Sequence, residues 1–253
     1  MYQSEREQEI LDILSCHGFT TVTLLAQKLH ISESSIRRDL SALQKKGLVH
    51  RSYGGAEPAD TLNRTHNIPF ALRSLEDSAE KRRIASAAAQ LVHEGDVVFI
   101  DASSTCLYLF SELIKIKGIT IVTNSIEGLH LLMNYDVSVI SCGGHVSVEN
   151  RAALVGPYAE ETVANLHADI LFFSVYALGE DGVLTDLYLP EVTRRKHMME
   201  RADRCILLCS GKKVGKHSVY RMCSLRDLHG IVSDVPLQDT FGDMDPDFRF
   251  ITA

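Results

Sequence analysis

The sequence predicts an α/β protein of two domains: a small, mostly helical N-terminal domain and a larger domain built on a mainly parallel sheet. Apolar residues recur at helical spacing through residues 5–46 and are followed by a short alternating stretch that ends at Gly54-Gly55. From Glu80 onward, helical segments alternate with short, mainly apolar strands, a pattern typical of a parallel sheet covered by helices on both faces. A length of 253 residues suits two domains.

The composition is that of a globular protein, with 45% hydrophobic and 23% charged residues. No apolar run approaches the ~20 residues needed to cross a bilayer, and the polar, acidic start of the chain is unlike a secretory signal. We therefore expect a cytoplasmic protein without a membrane partner. The six cysteines form no Cys-x-x-Cys pair, so we expect no disulfide, no metal site and no cofactor.

The N-terminal pattern predicts three helices and a hairpin. Thr21 is expected to cap the second helix and Ser32 the third, while Gly47 ends the third. The expected elements are helices over 5–16, 22–29 and 32–46, then a strand over 48–53 and a turn at 54–55. This order predicts a winged helix-turn-helix, a fold that places its third helix in the major groove of DNA.

Charge is distributed unevenly along the chain. The net charge is −7, yet residues 32–51 carry five basic and two acidic side chains, a local charge of +3. The rest of the chain therefore carries −10. Because a footprint on DNA is local, a small basic face on an acidic body is compatible with nucleic-acid binding.

The DNA-binding candidates lie on the open face of the third helix and on the wing, where they can reach base edges and phosphates. They are Ser34, Ser35, Arg37, Arg38, Lys45, Lys46, Arg51 and Tyr53. The alternative is that Arg37 and Arg38 form only a solvated charged face and that Asp39 is paired within the protein.

The larger domain follows a linker, so that we expect domains at 1–57 and 76–253 and a linker at 58–75. Its expected helices are 79–93, 105–116, 126–134, 158–166 and 190–202. Its expected strands are 97–100, 119–122, 137–140, 170–173, 205–208 and a sixth at 231–232.

Polar residues follow three of these strands: residues 101–105 after the first, 123–125 after the second, and Cys142-Gly143-Gly144 after the third. Ligands bind at the carboxyl ends of parallel strands, and free N–H groups with hydroxyl side chains suit an anion. One such turn alone would be an ordinary helix cap, but three together favour a phosphate-sized pocket.

The N-terminal residues resemble the signature of the DeoR family of transcriptional regulators. The shared segments are Glu5-Arg6, Ile10-Leu11, Leu25-Ala26, Ile31-Ser32, Ser35-Ile36-Arg37-Arg38-Asp39-Leu40, Gly47-Leu48 and Arg51-x-Tyr53-Gly54-Gly55-Ala56. The family usually has Thr at Ser35 and His at Tyr53. The resemblance implies a repressor that binds operator DNA as a dimer or tetramer.

The C-terminal residues are similar to the DeoR sensor domain, which itself resembles pentose-phosphate isomerases and amino-sugar-phosphate deaminases. The shared landmarks include Glu80-Lys81, Ile84-Ala85, Asp101, Thr123-Asn124-Ser125, Gly143-Gly144, Leu154-Val155-Gly156, Gly182-Val183-Leu184-Thr185, Glu191 and Lys213-Val214-Gly215. The resemblance implies a phosphorylated sugar as effector. The effector candidates are Asp101, Ser103, Ser104, Thr105, Asn124, Ser125, Gly143, Gly144, Glu191 and Lys213.

By this analogy Ser103 to Thr105 hold the phosphate, and the other polar candidates meet the sugar or the phosphate. The chain departs from the family at Ser103, where relatives often have Gly, at Ser210, where Asp is common, and at Tyr176-Ala177. These departures bear on which ligand is bound.

Two other functions remain open at this stage. The first is a sugar-phosphate isomerase or deaminase with an accessory DNA-binding module, for which Asp101 or Glu191 would be the base. No catalytic trio clusters at one strand end, so we expect no enzyme and assign no catalytic residue. The second is a constitutive DNA binder whose sensor serves only for dimerisation.

Overall fold

The computed structural model describes residues 3–17, 19–52, 54–58, 70–242 and 244–253. The chain divides into two compact units, residues 1–72 and 73–253. Within the described ranges, none of the helices combines the length and the apolar character that a membrane crossing requires. No cluster of His, Cys, Asp or Glu in those ranges could hold a metal ion.

The first unit is a winged helix-turn-helix. Its elements are α1 (Gln3–His17), β1 (Thr20–Thr21), α2 (Val22–Leu29), α3 (Glu33–Lys45), β2 (Val49–Ser52), β3 (Gly55–Pro58) and α4 (Phe70–Leu75), the last of which runs into the second unit. The predicted bounds of the second helix are confirmed. The predicted caps are present too: Thr21 accepts a hydrogen bond from Leu24 N, and Ser32 accepts one from Ser35 N.

The wing has one more strand than the sequence predicts. Strand β1 pairs with β3, and β3 with β2, so that a three-stranded antiparallel sheet closes the unit. A strand of two residues leaves no alternation to detect, which is why it was not predicted. The core beneath consists of fully buried residues from all three helices, among them Ile10, Leu14, Leu25 and Ile36.

The second unit is an α/β domain. Its helices are α5 (Ser78–Ala89), α6 (Leu107–Leu113), α7 (Ile126–Leu132), α8 (Pro157–Ala164), α9 (Leu189–Glu200) and α10 (Gln238–Phe241). Its strands are β4 (Val97–Ile100), β5 (Thr120–Thr123), β6 (Ser138–Ser141), β7 (His145–Val146), β8 (Leu154–Val155), β9 (Ala168–Phe173), β10 (Ala177–Leu178), β11 (Val183–Asp186), β12 (Ala202–Cys209), β13 (Tyr220–Ser224), β14 (Gly230–Ser233) and β15 (Arg249–Thr252).

The main sheet has seven parallel strands in the order β15-β14-β12-β9-β4-β5-β6. Successive residues of a strand enter opposite cores, as expected from the pleat. Val98 and Ile100 belong to one buried cluster, and Phe99 between them belongs to the other. The predicted parallel sheet covered on both faces is confirmed.

Three details differ from the predicted elements. Helix α6 begins at Leu107 rather than at residue 105, because residues 104–106 form turns. A seventh strand, β15, extends the sheet beyond the predicted sixth strand, β14. The β7–β8 hairpin and a small sheet of β10, β11 and β13 were not predicted.

Candidate DNA interface and effector site

Helix α3 has one buried face and one open face, as its spacing predicts. Ile36 and Leu40 are fully buried. Ser34, Arg37 and Arg38 are exposed. The open face of α3 therefore carries the residues that were predicted to reach base edges.

Arg37 is held by an ion pair on this open face. Its Nη2 donates to Glu33 Oε2 over 2.7 Å, and Glu33 Oε1 accepts from the Thr23 hydroxyl, also over 2.7 Å. The Arg37 side chain is 55% exposed. Exposed pairs of this kind contribute at most about 1 kcal/mol, so a base edge or phosphate can replace Glu33 as the partner.

Asp39 does not compete for these arginines. Its side chain is 1% exposed, and both oxygens accept from Arg6 of α1, over 2.5 and 3.0 Å. The predicted internal pairing of Asp39 is therefore present, but with α1. The pair removes a negative charge from beneath the open face of α3.

The other basic candidates lie at the C-terminal end of α3 or on the wing. Lys45 is exposed, whereas Lys46 Nζ pairs with Glu7 Oε2 at 2.5 Å. Arg51 Nη1 donates to Ser41 Oγ over 2.5 Å, which fixes β2 against α3. Tyr53 lies outside the described residues, so its predicted role stays a prediction.

In the second unit, the polar ends of β4 and β5 are neighbours. The two strands pair in parallel from Val97 to Ile100, and the Thr123 hydroxyl donates to the Ile100 carbonyl over 2.7 Å. The topology therefore brings residues 101–105 beside residues 123–125, as predicted.

Arg195 of α9 is the hub of a buried ionic network. It donates to Asp101 Oδ2 from Nε over 2.6 Å, to Asp186 Oδ2 from Nη1 over 2.7 Å, and to Glu191 Oε2 from Nη2 over 2.9 Å. All four side chains are at most 8% exposed. Burial alone would lower the pKa of Arg195, but the three carboxylates raise it.

The same guanidinium determines the charge of Asp101. Burial alone would raise the pKa of this carboxyl, but Arg195 and Arg194 hold it below its ordinary value of 3.8. Asp101 Oδ1 also accepts from Ser103 N over 3.0 Å, which fixes the loop after β4. Asp101 is therefore an ionised carboxylate that accepts a hydrogen bond on each oxygen.

Glu191 joins this network to the loop between β7 and β8. Its Oε1 accepts from Asn150 Nδ2 over 2.8 Å. Asn150 is itself buried. Glu191 thus stands where it was predicted, but its bonds are to protein groups.

Asn124 meets a second arginine through a shared carbonyl. Asn124 Nδ2 donates to Leu154 O over 3.0 Å, and Arg194 Nη1 donates to the same oxygen over 3.3 Å. Asn124 Oδ1 and two nitrogens of Arg194, Nε and Nη2, are buried without a partner among the described residues.

Lys213 lies on the other side of the Asp101 network. Its Nζ donates to Ser174 Oγ over 2.8 Å and to Val175 O over 2.7 Å. Desolvation lowers its pKa, against the attraction of Cys209, Asp186 and Asp101.

Lys81 adds a further cation near Lys213. Its Nζ donates to the carbonyls of Arg73 and Glu76. Desolvation and the charge of Lys213 lower the pKa of Lys81 to about 8. The cluster thus brings the cations Lys81, Arg194, Arg195 and Lys213 close to the buried carboxylates of Asp101, Asp186 and Glu191.

The predicted phosphate loop contains one bonded and one unbonded hydroxyl. Ser103 Oγ accepts from Cys106 N over 3.1 Å. Thr105 Oγ1 is buried without a partner in the described structure. Ser103 and Ser104 are 8% and 7% exposed and are the least buried of the three.

Three other candidates have local structural bonds. Ser125 Oγ caps α7 by accepting from Gly128 N over 3.0 Å. A Cβ on Gly144 would lie 2.5 Å from Val155 O, so this glycine allows two backbone segments to approach, and Gly143 has open space around it. These positions shape the rim of the site.

The departures from the family pattern are local. Ser210 caps the turn that carries Lys213 by accepting from Lys212 N over 3.3 Å. Tyr176 is 41% exposed, and its backbone N–H donates to Asp186 Oδ2 over 3.2 Å.

Five residues of the cluster were not among the predicted candidates: Lys81, Asn150, Asp186, Arg194 and Arg195. One signal was present for Arg195, since Glu191 and Arg195 are spaced i, i+4 on a helix. The other residues come together only through the fold, so no spacing in the sequence could have indicated them.

Comparison with known proteins assigns both units. Residues 6–62 match the family described as DeoR-like helix-turn-helix domain, and residues 76–235 match the family described as DeoR C terminal sensor domain. The chain belongs to the DeoR family. The sensor match alone covers more than half of the chain.

Full-length relatives of this DeoR-family protein are transcriptional regulators. The L-fucose operon activator of Haemophilus influenzae is 34% identical over 92% of this chain and 93% of its own length. The uncharacterized HTH-type transcriptional regulator YulB of Bacillus subtilis is 32% identical over 92% and 90%. The HTH-type transcriptional repressor CsqR of Escherichia coli is 28% identical over 90% and 87%.

The family and these relatives are regulators and not enzymes, which decides against an isomerase or deaminase. A ribose 5-phosphate isomerase of Methanocaldococcus jannaschii has a TM-score of 0.42 at 18% identity, covering 55% of each chain. This likeness is too distant to support a function.

Proposed function

We propose that this DeoR-family regulator is a repressor of a sugar-metabolism operon and that a phosphorylated sugar bound in the second unit controls it. The observation that carries the effector half is the buried cluster at the ends of β4 and β5. It contains the buried cations Arg195 and Lys213 and the hydroxyl of Thr105, which is buried without a partner among the described residues. Buried polar groups without partners are rare in native proteins, so a ligand that bonds them fits the site.

We assign the phosphate to the loop of Ser103, Ser104 and Thr105, with Lys213 and Lys81 as the nearby cations. The sugar hydroxyls then face Asp101 and Glu191, whose carboxylate oxygens accept hydrogen bonds.

The DNA half of the proposal assigns base readout to Arg37, Arg38, Ser34 and Ser35 of α3. Lys45, Lys46 and Arg51 hold the phosphate backbone. One winged helix offers a small interface, so tight binding needs at least a dimer that reads repeated half-sites.

The test is a binding experiment on the promoter region next to the gene, carried out with and without a panel of sugar phosphates. We expect salt-dependent, sequence-specific binding that one sugar phosphate weakens. That compound should also raise the melting temperature of the protein, because a ligand specific to the folded state stabilises it. Specific DNA binding with no response to any sugar phosphate would refute the sensor half alone.

The proposal that this protein represses transcription follows the family resemblance, and its relatives include both an activator and a repressor. In vitro transcription decides it: a repressor lowers the transcript from the bound promoter, whereas a higher transcript would assign an activator.

A further inference from the structure

Arg194 is a buried cation that the protein itself does not neutralise. Its side chain is fully buried, and among the described residues it donates one hydrogen bond, from Nη1 to Leu154 O over 3.3 Å. Within the described part of the chain, Nε and Nη2 meet no acceptor. The adjacent Arg195, in contrast, bonds three carboxylates.

Without a further partner, the buried guanidinium of Arg194 destabilises the folded protein. A buried guanidinium without a bonded anion loses several kcal/mol of hydration that one carbonyl does not replace. Desolvation accordingly lowers the pKa of Arg194, although the charges of Glu191 and Asp101 oppose it. In the sequence Arg194 directly precedes Arg195, the centre of the buried ionic network.

Asn124, which bonds the same carbonyl, also has a buried side-chain atom without a hydrogen-bond partner among the described residues. Its Nδ2 bonds Leu154 O, which fixes the amide orientation and leaves Oδ1 as a buried acceptor without a donor. The Leu154 carbonyl oxygen therefore holds both side chains, and two donors of Arg194 and one acceptor of Asn124 remain without a partner among the described residues. A guanidinium presents Nε and Nη2 as a fork that matches two oxygens of a carboxylate or phosphate, and a hydroxyl can donate to the amide oxygen.

We propose that Arg194 and Asn124 form a second anion subsite of the sensor. It takes a carboxylate or phosphate group whose neighbouring carbon carries a hydroxyl. The anionic oxygens accept from Nε and Nη2 of Arg194, and the hydroxyl donates to Asn124 Oδ1. The inference rests on the proposed function and narrows it: the effector is a sugar with anionic groups at both ends, not a simple monophosphate.

The test is calorimetric titration of the full-length protein with pentose and hexose monophosphates, the corresponding phosphorylated aldonic acids, and the corresponding bisphosphates. We expect one of the doubly anionic classes to bind at least tenfold more tightly than the monophosphate of the same sugar. Preference for the aldonic acid assigns a carboxylate to Arg194, and preference for the bisphosphate assigns a phosphate.

The matched variants are Arg194→Met and Lys196→Met, a buried and an exposed position on the same helix. Arg194→Met should remove the preference, because it weakens binding of the doubly anionic ligand at least tenfold more than binding of the monophosphate, whereas Lys196→Met should change neither. If Arg194→Met does not fold, Arg194→Lys serves, because it keeps the charge, loses the fork and should reduce the preference.

Equal binding of monophosphates and doubly anionic sugars by the wild type would overturn the subsite while the proposed function stands. An equal loss of both classes in Arg194→Met would also overturn it. Binding of no member of the panel would refute the proposed function and this inference together.

Discussion

Replacement of Arg195 by methionine tests the buried network most directly. The change removes the cation and leaves Asp101, Asp186 and Glu191, all at most 8% exposed, without their shared partner. Removing one partner of a buried ion pair typically costs about 3–5 kcal/mol. A domain of this size loses ~2–4 °C per kcal/mol, so we expect the melting temperature to fall by roughly 6–20 °C, measured by differential scanning calorimetry.

The loss should depend on pH. In the wild type the pKa of Asp101 lies below 3.8 in the folded state, so its stabilisation is present above that pH and disappears as the pH falls through the lowered pKa. In the variant, burial unopposed by Arg195 raises the pKa of this carboxyl, so stability falls as the pH rises through the raised value. The difference in melting temperature should therefore be larger at pH 8 than at pH 5.

Arg201→Met is the control, because Arg201 is exposed just after the same helix. It should shift the melting temperature by about 2 °C or less, since exposed charges contribute little. A shift of that size in Arg195→Met, or a shift equal at both pH values, would refute the reasoning that Arg195 neutralises the buried carboxylates.

Three further predictions concern both units. Arg37→Ala should weaken specific DNA binding by about 1–3 kcal/mol and nonspecific binding less. Lys45→Ala should weaken binding to all DNA sequences alike and make the salt dependence of binding shallower by about 1. Mobility-shift assays at several salt concentrations compare the two variants. Gly144→Ala brings its Cβ to 2.5 Å from a backbone carbonyl of β8, and Gly143→Ala meets open space, so chemical denaturation should show the larger loss in Gly144→Ala. Leu40 is fully buried, so Leu40→Ala should cost about 2–5 kcal/mol and abolish DNA binding while the sensor still binds its ligand; loss of both activities would contradict the separate cores.

The sequence predicted correctly those structural features that depend on residues nearby in the chain. Thr21 and Ser32 were predicted as caps because a cap depends on residues two or three positions away. Six of the seven strands of the main sheet were predicted because each is a short, mainly apolar run. Strand β15 and the small sheet of β10, β11 and β13 were missed because short strands acquire their identity from distant partners.

The candidate site divides in the same way. Asp101 and Asn124 were predicted from their place after a strand. Arg195 was missed, since its bond to Asp101 spans 94 residues of sequence. Ser125 was predicted as a ligand residue, and in the structure it caps α7; whether it also meets the effector stays a prediction.

The independence of the winged helix-turn-helix has a consequence for chain truncation. Its core is assembled from residues between Ile10 and Ala56, so synthesis completes it long before β9, the partner of β4 in the main sheet, has been translated. A premature stop or a proteolytic cut between the units would leave a fragment that keeps its DNA-reading helix but lacks the unit that binds the effector. Such a fragment would hold a single half-site only weakly, because tight binding needs at least a dimer.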